Sequence, residues 1–358
     1  MKKLILLPIW FVGVLVCSSF AGNVPDKEVQ KAFELRMNGK VDEAKALLDG
    51  ILQKDSANAL AQYEEARLQH YLLTGGGEMK MDKILNPINK AVSLDPKNVT
   101  FAYYKAIASF LNAFMAMQMG TGEVKNKIAE TCIQFEKVLS LKPDYYEATL
   151  YLVEIYGMLP KDMGGDSLKA AAYAKKLELA NAYFGAKAKS DLAPEGLDQI
   201  KFWQEQLAKD KNNPEILMEI GRACLYKDDQ MKAEKYFNEA NKLDQSKNIL
   251  ILDLARYHVM NAMQNQDLAK TELPLAKTYL EKYMKSVPQP NVPLRAYAMG
   301  LLTRCEMMLG NKAESEKLME EAKKLDPYFS RASGVPTLLL FDPPTQISHH
   351  FFSFFKPF

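Results

Sequence analysis

The chain has 358 residues, of which 48% are hydrophobic and 25% charged, proportions that are ordinary for a folded soluble protein. Lys and Arg number 46 and Asp and Glu 44, so the net charge gives no reason to expect nucleic-acid binding. The cysteines are Cys17, Cys132, Cys224 and Cys305; without C-x-x-C spacing they exclude the usual zinc and thioredoxin-like signatures and argue against a disulfide framework.

The first 21 residues have the pattern of a secretory signal peptide. Lys2 and Lys3 precede an apolar run from Leu4 to Val16, and small residues then allow cleavage after Ala21. The apolar run is too short to span a hydrocarbon core of about 30 Å comfortably. We therefore predict an exported protein, located in the bacterial periplasm or cell envelope.

An alternative interpretation places a lipid on Cys17. Val14, Leu15 and Val16 precede this cysteine in the position of a bacterial lipobox, although that pattern has a small residue where Val16 stands. Lipidation would make Cys17 the first mature residue and attach the protein to an envelope membrane. Both interpretations predict export.

The most regular pattern of the chain lies between Pro214 and Lys247, where a polar break separates two amphipathic segments. In each segment apolar or small residues recur at i, i+3, i+4 and i+7; they are Leu217, Ile220, Gly221, Cys224, Ala233, Tyr236, Phe237 and Ala240. Gly221 and Ala233 are small enough for two antiparallel helices to approach closely, with Phe237 beside them. The spacing predicts a helical hairpin that needs neighbours to bury its apolar faces.

This spacing resembles the tetratricopeptide repeat (TPR), a 34-residue helix–turn–helix unit, although Leu217 and Cys224 replace its usual Trp and Tyr. Seven further segments follow the two-helix pattern less regularly; they are 25–58, 59–98, 99–145, 146–182, 183–213, 248–290 and 296–329. The resemblance, to TPR proteins of the exported bacterial type, implies an all-α fold. We expect a right-handed α-solenoid of about eight TPR-like antiparallel hairpins, forming one repeat domain over 22–329.

Three regions depart from the regular pattern. The first helix of 25–58 is polar, which is typical of a terminal capping repeat. The pair within 183–213 is degenerate and is interrupted by Pro194. Residues 330–358 are rich in Phe and Pro and cannot continue the helices. Three alternatives stay open for this tail: it folds back on the last repeat, stays disordered, or inserts into a partner or membrane surface.

Catalytic signatures are absent from the sequence. Outside the tail the histidines are His70 and His258, which lie in different repeats without metal-ligand spacing. The glycines at 75–77 lack the strand, Lys and Ser/Thr of a phosphate-binding loop. We therefore predict no enzymatic activity, no metal and no cofactor, and we interpret the mature cysteines as buried thiols.

Binding is the more natural hypothesis, because in the TPR family the first helices of successive hairpins line a concave groove for peptides or proteins. Four hairpins have arginine at one groove-facing position: Arg67, Arg222, Arg256 and Arg304. Guanidinium groups suit carboxylates, although the Lys and Asn of the family's carboxylate clamp are not evident. The apolar part of the predicted groove consists of Met218, Tyr226, Leu252, Met260, Met307 and Met308. Alternatively, the arginines only solvate the helix face.

Two functions stay open. The first is an exported scaffold or adaptor that binds a protein or peptide, with an acidic partner as one option and no nucleic acid. The second is a transporter-associated extracytoplasmic component that handles a small acidic solute. Convergence of the four arginines on an enclosed cavity would favour the solute, and their spread along an open groove would favour the scaffold.

Overall fold

The computed structural model describes residues 27–74, 80–120, 122–194 and 196–328. These ranges contain sixteen α-helices and no strand. The predictions for the signal peptide, for Cys17 and for the tail 330–358 lie outside the described residues, as does the glycine loop 75–77. None of the described helices combines the length and the apolar character that crossing a membrane requires.

In chain order the helices are α1 Lys27–Met37, α2 Val41–Lys54, α3 Ala59–Thr74, α4 Asp82–Leu94, α5 Val99–Gln118, α6 Val124–Leu141, α7 Tyr146–Met158, α8 Ser167–Ala180, α9 Ala182–Asp191, α10 Gln199–Lys209, α11 Pro214–Tyr226, α12 Gln230–Leu243, α13 Ile249–Gln264, α14 Ala269–Met284, α15 Val292–Met308 and α16 Lys312–Leu325. Each of the eight predicted segments corresponds to two of them, although α9 begins at Ala182 and α15 at Val292, before the predicted starts at 183 and 296. Consecutive helices pack as hairpins in seven segments, and successive hairpins pack on one another except where α9 and α10 lie between α8 and α11, which confirms the α-solenoid.

Local sequence signals explain where many of these helices begin. Seven helices follow an Asn or Asp whose side-chain oxygen accepts a hydrogen bond from a backbone N–H of the first turn, which satisfies a donor that has no partner within the helix. These residues are Asn98, Asp166, Asn181, Asp198, Asn213, Asp229 and Asn291. Helix boundaries are therefore encoded close to where they occur.

The hairpin of α11 and α12 confirms the pattern from which the repeat was inferred. The predicted inward face is buried, with Ile220, Cys224 and Ala240 fully inaccessible to solvent. The position of Gly221 has no room for a side chain, because a Cβ atom there would lie 2.3 Å from Cε1 of Phe237. The close approach of the two helices therefore depends on this glycine.

The degenerate pair within 183–213 does not form a hairpin of its own. Helix α9 packs mainly on α8 and α7, whereas α10 packs on α11. Asn181 both ends α8 and begins α9, where its side chain accepts a hydrogen bond from the Phe184 N–H. Gly185 lets the two helices approach, because a Cβ atom there would lie 2.6 Å from Cα of Glu178. The expected hairpin is thus replaced by two helices that extend their neighbours.

The two ends of the described array meet. The Tyr71 hydroxyl in α3 donates to Asp326 after α16, and the Tyr328 hydroxyl donates to Asp42 in α2 over 2.6 Å. Gly39 turns the chain between α1 and α2 at φ +74°, where a Cβ atom would lie 2.3 Å from the carbonyl oxygen of the last residue of α16. We call these five residues the seam. The polar face of α1 contacts solvent, as predicted. The first hairpin also contacts the C-terminal end of the described array, so it is not a terminal repeat with one side fully in solvent.

The described cysteines, Cys132, Cys224 and Cys305, are free thiols and are buried. Burial raises the pKa of Cys132 to about 11 and that of Cys305 to about 12. A thiol must lose its proton to become a strong nucleophile, so these residues have the character of inert core side chains. Their predicted burial is confirmed.

Candidate binding surface

Two of the predicted arginines share one carboxylate. Nη2 of Arg222 in α11 lies 3.1 Å from Oδ2 of Asp253 in α13, and Nη1 of Arg256, one turn further along α13, lies 3.7 Å from Oδ1. The three side chains are 18% to 21% exposed, so solvent reaches them although their positions are well defined by packing. Asp253 therefore joins the first helices of two successive hairpins and orients both guanidinium groups.

The next hairpin adds a third arginine and a tyrosine to this group. Tyr297 in α15 is 3% exposed, and burial raises its pKa, a rise that the positive charges of Arg256 and Arg304 oppose. Nη1 of Arg304 lies 3.6 Å from the sulfur of Met263 in α13. We call the following set the arginine cluster: Arg222, Asp253, Arg256, Tyr297 and Arg304. It combines three positive charges with one negative charge.

Arg67 lies in a different environment from the other three predicted arginines. It is 6% exposed, and its Nη1 lies 2.9 Å from Oε2 of Glu64. The guanidinium carbon is 4.9 Å from the ring centroid of Phe33 and 5.2 Å from that of Tyr63. The other oxygen of Glu64 accepts a hydrogen bond from Nε of Arg36 over 2.7 Å. Arg67 is thus built into the first two hairpins, and the structure groups three of the four arginines.

The residues predicted to form the apolar part of the groove divide into two groups. Tyr226 and Met307 are each 63% exposed, and Met260 and Met308 are half-buried. Met218 and Leu252 are only 2% and 1% exposed and belong to the hydrophobic core, which corrects their expected place on the surface. Helical periodicity alone could not separate the two groups, because α11 and α13 bury more than one face.

Asp253 and Tyr297 were missed by sequence reasoning. A signal for Asp253 existed: it precedes Arg256 by three residues on the same helix and follows Arg222 by 31, close to one repeat length. Tyr297 carries no comparable signal, because an aromatic residue on a first helix is typical of the core. Its position near two arginines follows only from the packing of α15 on its neighbours.

A second polar cluster lies in the interior where α7, α9 and α11 come together. Lys187 donates to Asp191 over 2.6 Å, and the Tyr183 hydroxyl donates to Glu219 over 3.1 Å. Burial and the nearby charge of Asp191 raise the pKa of Glu154 well above its usual range. Glu154, Lys187 and Glu219 are each at most 5% exposed. The cluster holds the irregular region together and offers little surface to a ligand.

Replacing Glu154 by Gln is expected to stabilise the protein more at pH 8 than at pH 5. Because the pKa is higher in the folded than in the unfolded state, the folded chain binds more protons between the two values, and the free energy of unfolding falls as pH rises. Glutamine cannot ionise, so we expect a gain on the order of 1 kcal/mol at pH 8. Urea unfolding at both pH values measures it, with Glu178→Gln, whose pKa is lowered to about 2, as a control that should show no gain. A stability difference independent of pH would contradict the assignment.

The histidines do not form a metal site with other side chains of the described chain. Nδ1 of His70 lies 3.2 Å from the Tyr104 hydroxyl, and Nδ1 of His258 lies 2.7 Å from Glu272 within the α13–α14 hairpin. Among the described residues no three His, Cys, Asp or Glu side chains are arranged to bind a metal ion. Both histidines act in cross-helix contacts.

The described residues thus define an α-solenoid of TPR-like hairpins whose first helices carry an arginine cluster. No family model matches the chain, and no curated protein matches it.

Several solved structures are similar. MamA has 16% identity and a TM-score of 0.30, covering 60% of this chain and 95% of its own. PilW, a widely conserved type IV pilus biogenesis factor, has 17% identity and a TM-score of 0.29, covering 85% and 94%. The human IFIT1 dimer with m7Gppp-AAAA has 18% identity and a TM-score of 0.39, covering 85% and 72%. At these TM-scores the similarities carry no argument about function.

Proposed function

We propose that this protein is an exported, non-enzymatic scaffold or adaptor that binds an acidic segment of a protein or peptide at the arginine cluster. The observation that carries the proposal is that Arg222 and Arg256, on the first helices of two successive hairpins, share the carboxylate of Asp253 while their side chains stay 21% and 18% exposed. A carboxylate from a partner would reach the exposed parts of the same guanidinium groups, which bind carboxylates through paired, charge-assisted hydrogen bonds. Export rests on the pattern of residues 1–21 and is part of the proposal.

Apolar side chains beside the cluster support a peptide more than a small ion. Tyr226 and Met307 are largely exposed, and Met260 and Met308 are half-buried on the same series of helices. Flexible methionines and a tyrosine provide adaptable contact area for the apolar part of a peptide. Arg67 is paired with Glu64 and lies apart from the other three arginines. This separation favours a scaffold over the alternative, an acidic solute enclosed by all four arginines.

Replacing Arg222 and Arg256 by Ala is expected to weaken binding of an acidic peptide at least about 100-fold, because it removes two charge-assisted hydrogen bonds that contribute about 1.5–3 kcal/mol each. The probe is a fluorescein-labelled peptide of alternating Glu and Leu, compared with its Gln counterpart by fluorescence anisotropy. Arg295→Ala, on the same helix as Arg304, is the matched control and should bind like the wild type. Equal affinity of the double variant and the wild type would exclude this site.

A complementary variant distinguishes loss of binding from loss of structure. Asp253→Asn removes the internal carboxylate that competes with a ligand, so we expect tighter binding of the Glu peptide and unchanged binding of the Gln peptide. Thermal unfolding monitors whether each variant is folded. If Asp253→Asn weakens the Glu peptide while the protein stays folded, the arginines do not form its binding site.

A further inference from the structure

Helix α8 has apolar residues on two opposite faces. Its inner face buries Ala170 and Leu177. Its outer face carries Leu168 and Leu179, which are 83% and 77% exposed, with exposed Ala172 between them. The two leucines are three helical turns apart, so they lie on one side of the helix, separated by about 16 Å along its axis. The apolar residues of the inner face pack in the core, whereas those of the outer face contact solvent.

No described neighbour covers the outer leucines. Helix α8 packs on α7 and α9, and the core clusters there include Ala170 and Leu177 but neither Leu168 nor Leu179. The positions on this side are Leu168, Ala172, Lys175 and Leu179, spaced i, i+4, i+7 and i+11, so a lysine occupies the third position of the row. A single exposed leucine needs no explanation, but two leucines at this spacing are typical of a helix face that packs on another helix. The small side chain of Ala172 would allow another helix to approach closely.

The charges in and around this row are positive. Lys169, Lys175 and Lys176 are exposed on α8, and the amines of Lys169 and Lys176 lie 4.9 Å and 4.8 Å from the ring centroids of Tyr156 and Tyr173, where they keep their positive charge. The acidic residue of this helix, Glu178, lies 2.9 Å from Lys175 and 2.5 Å from Lys189 of α9, and these lysines lower its pKa to about 2. Glu178 is therefore ionised and already neutralised. We define the α8 outer face as Leu168, Lys169, Ala172, Lys175, Lys176 and Leu179.

We propose that the α8 outer face binds an acidic amphipathic helix of a partner protein. The partner's apolar side chains pack along Leu168, Ala172 and Leu179, and its Asp or Glu side chains lie opposite Lys175 within the row and beside Lys169 and Lys176 on one flank. This surface is on α8, whereas the arginine cluster is on α11, α13 and α15, so the proposal is independent of the proposed function.

Charge argues against other occupants from this chain. In an antiparallel two-fold pair of α8 helices, the flank with Lys169 and Lys176 would face the same flank of the second copy. In a parallel pair, Lys175 would face Lys175. Like charges then oppose each other in both arrangements. Segment 330–358 is almost uncharged and contains four prolines, so it offers neither an acidic helix nor matching charges.

The test uses a synthetic helical peptide with leucines at i, i+4, i+7 and i+11 flanked by glutamates, together with a twin in which lysines replace the glutamates. The full chain is expected to bind the acidic peptide at least 10-fold more tightly in fluorescence anisotropy at low salt. Leu168→Ser with Leu179→Ser should reduce that affinity at least 10-fold. The matched control is Met231→Ser with Leu243→Ser on α12, where both side chains are also exposed, and it should leave the affinity unchanged.

A charge reversal distinguishes specific recognition of the acidic peptide from nonspecific hydrophobic binding. Lys175→Glu with Lys176→Glu is expected to invert the preference toward the lysine peptide. Equal binding of the two peptides, or equal loss in the α12 control, would overturn the proposal. A dimer in sedimentation equilibrium that the α8 leucine variant dissociates would assign the face to a second copy. Leucine-dependent binding to phosphatidylglycerol vesicles without peptide discrimination would assign it to a membrane surface.

Discussion

Replacing Glu64 by Ala is expected to lower the free energy of unfolding by about 3–5 kcal/mol, because it removes the carboxylate that bridges two buried guanidinium groups. Glu64 is 2% exposed, and its two oxygens accept hydrogen bonds from Arg36 over 2.7 Å and from Arg67 over 2.9 Å. Arg36 is fully buried. Transfer of a guanidinium group from water into the protein interior costs free energy, which the attraction to a carboxylate offsets. When that carboxylate is removed, the cost of transfer remains and the attraction is lost.

Chemical denaturation of the variant measures this loss, and two further variants interpret it. Glu64→Gln keeps the shape of the side chain and removes its charge, so it should retain most of the destabilisation. Lys45→Ala breaks an exposed pair with Asp49 and should change stability by no more than about 0.5 kcal/mol. If the Glu64 and Lys45 variants lost similar amounts, Glu64 would not be the counterion that holds the first two hairpins together.

Replacing Gly221 by Ala is expected to destabilise the protein by about 1–3 kcal/mol, because the new methyl group would overlap the ring of Phe237. The nearest ring atoms would lie 2.3 and 2.4 Å from it, closer than non-bonded carbon atoms can pack. Either the ring leaves its position in the core or α11 and α12 move apart. Both changes disturb the most regular hairpin of the array.

A second glycine provides the matched control for this prediction. Gly50 in α2 has no heavy atom within 4 Å of the position of a Cβ atom, so Gly50→Ala should stabilise the helix by about 0.5–1 kcal/mol. Phe237→Leu should reduce the cost of Gly221→Ala, since the two sites are in contact and their effects do not add. Thermal unfolding of the three variants and the double variant measures both effects. Stabilisation by Gly221→Ala would show that the hairpin is loosely packed.

The helices themselves were predictable because the signals for them are local. Apolar residues recur every three or four positions, and polar caps such as Asn213 and Asp229 stand at the helix starts. Pairing of consecutive helices follows from their short connections, and it held in seven of eight segments. The predicted pairing is wrong for 183–213. A single residue, Asn181, links α8 to α9, and this short connection leads α9 to pack on α8 rather than on α10.

The arginine positions were predictable, but their chemistry was not. Equal offsets within the repeat located Arg222, Arg256 and Arg67 on first helices, as the structure has them. Which arginine is reachable depends on its neighbours. Glu64 and two aromatic rings enclose Arg67, whereas Asp253 holds Arg222 and Arg256 near the surface. These neighbours come partly from other hairpins, and a repeat pattern carries no information about them.

The sequence by itself determined an all-α chain of helix pairs, because helix propensity, capping and amphipathic periodicity act within a few residues. Only the tertiary structure decided that the described array returns to its beginning. The seam joins Tyr71 to Asp326 and Asp42 to Tyr328, residues 255 and 286 positions apart. The small rotations and translations between successive hairpins add up over the whole array, and their sum decides whether its ends meet. No local pattern specifies that sum.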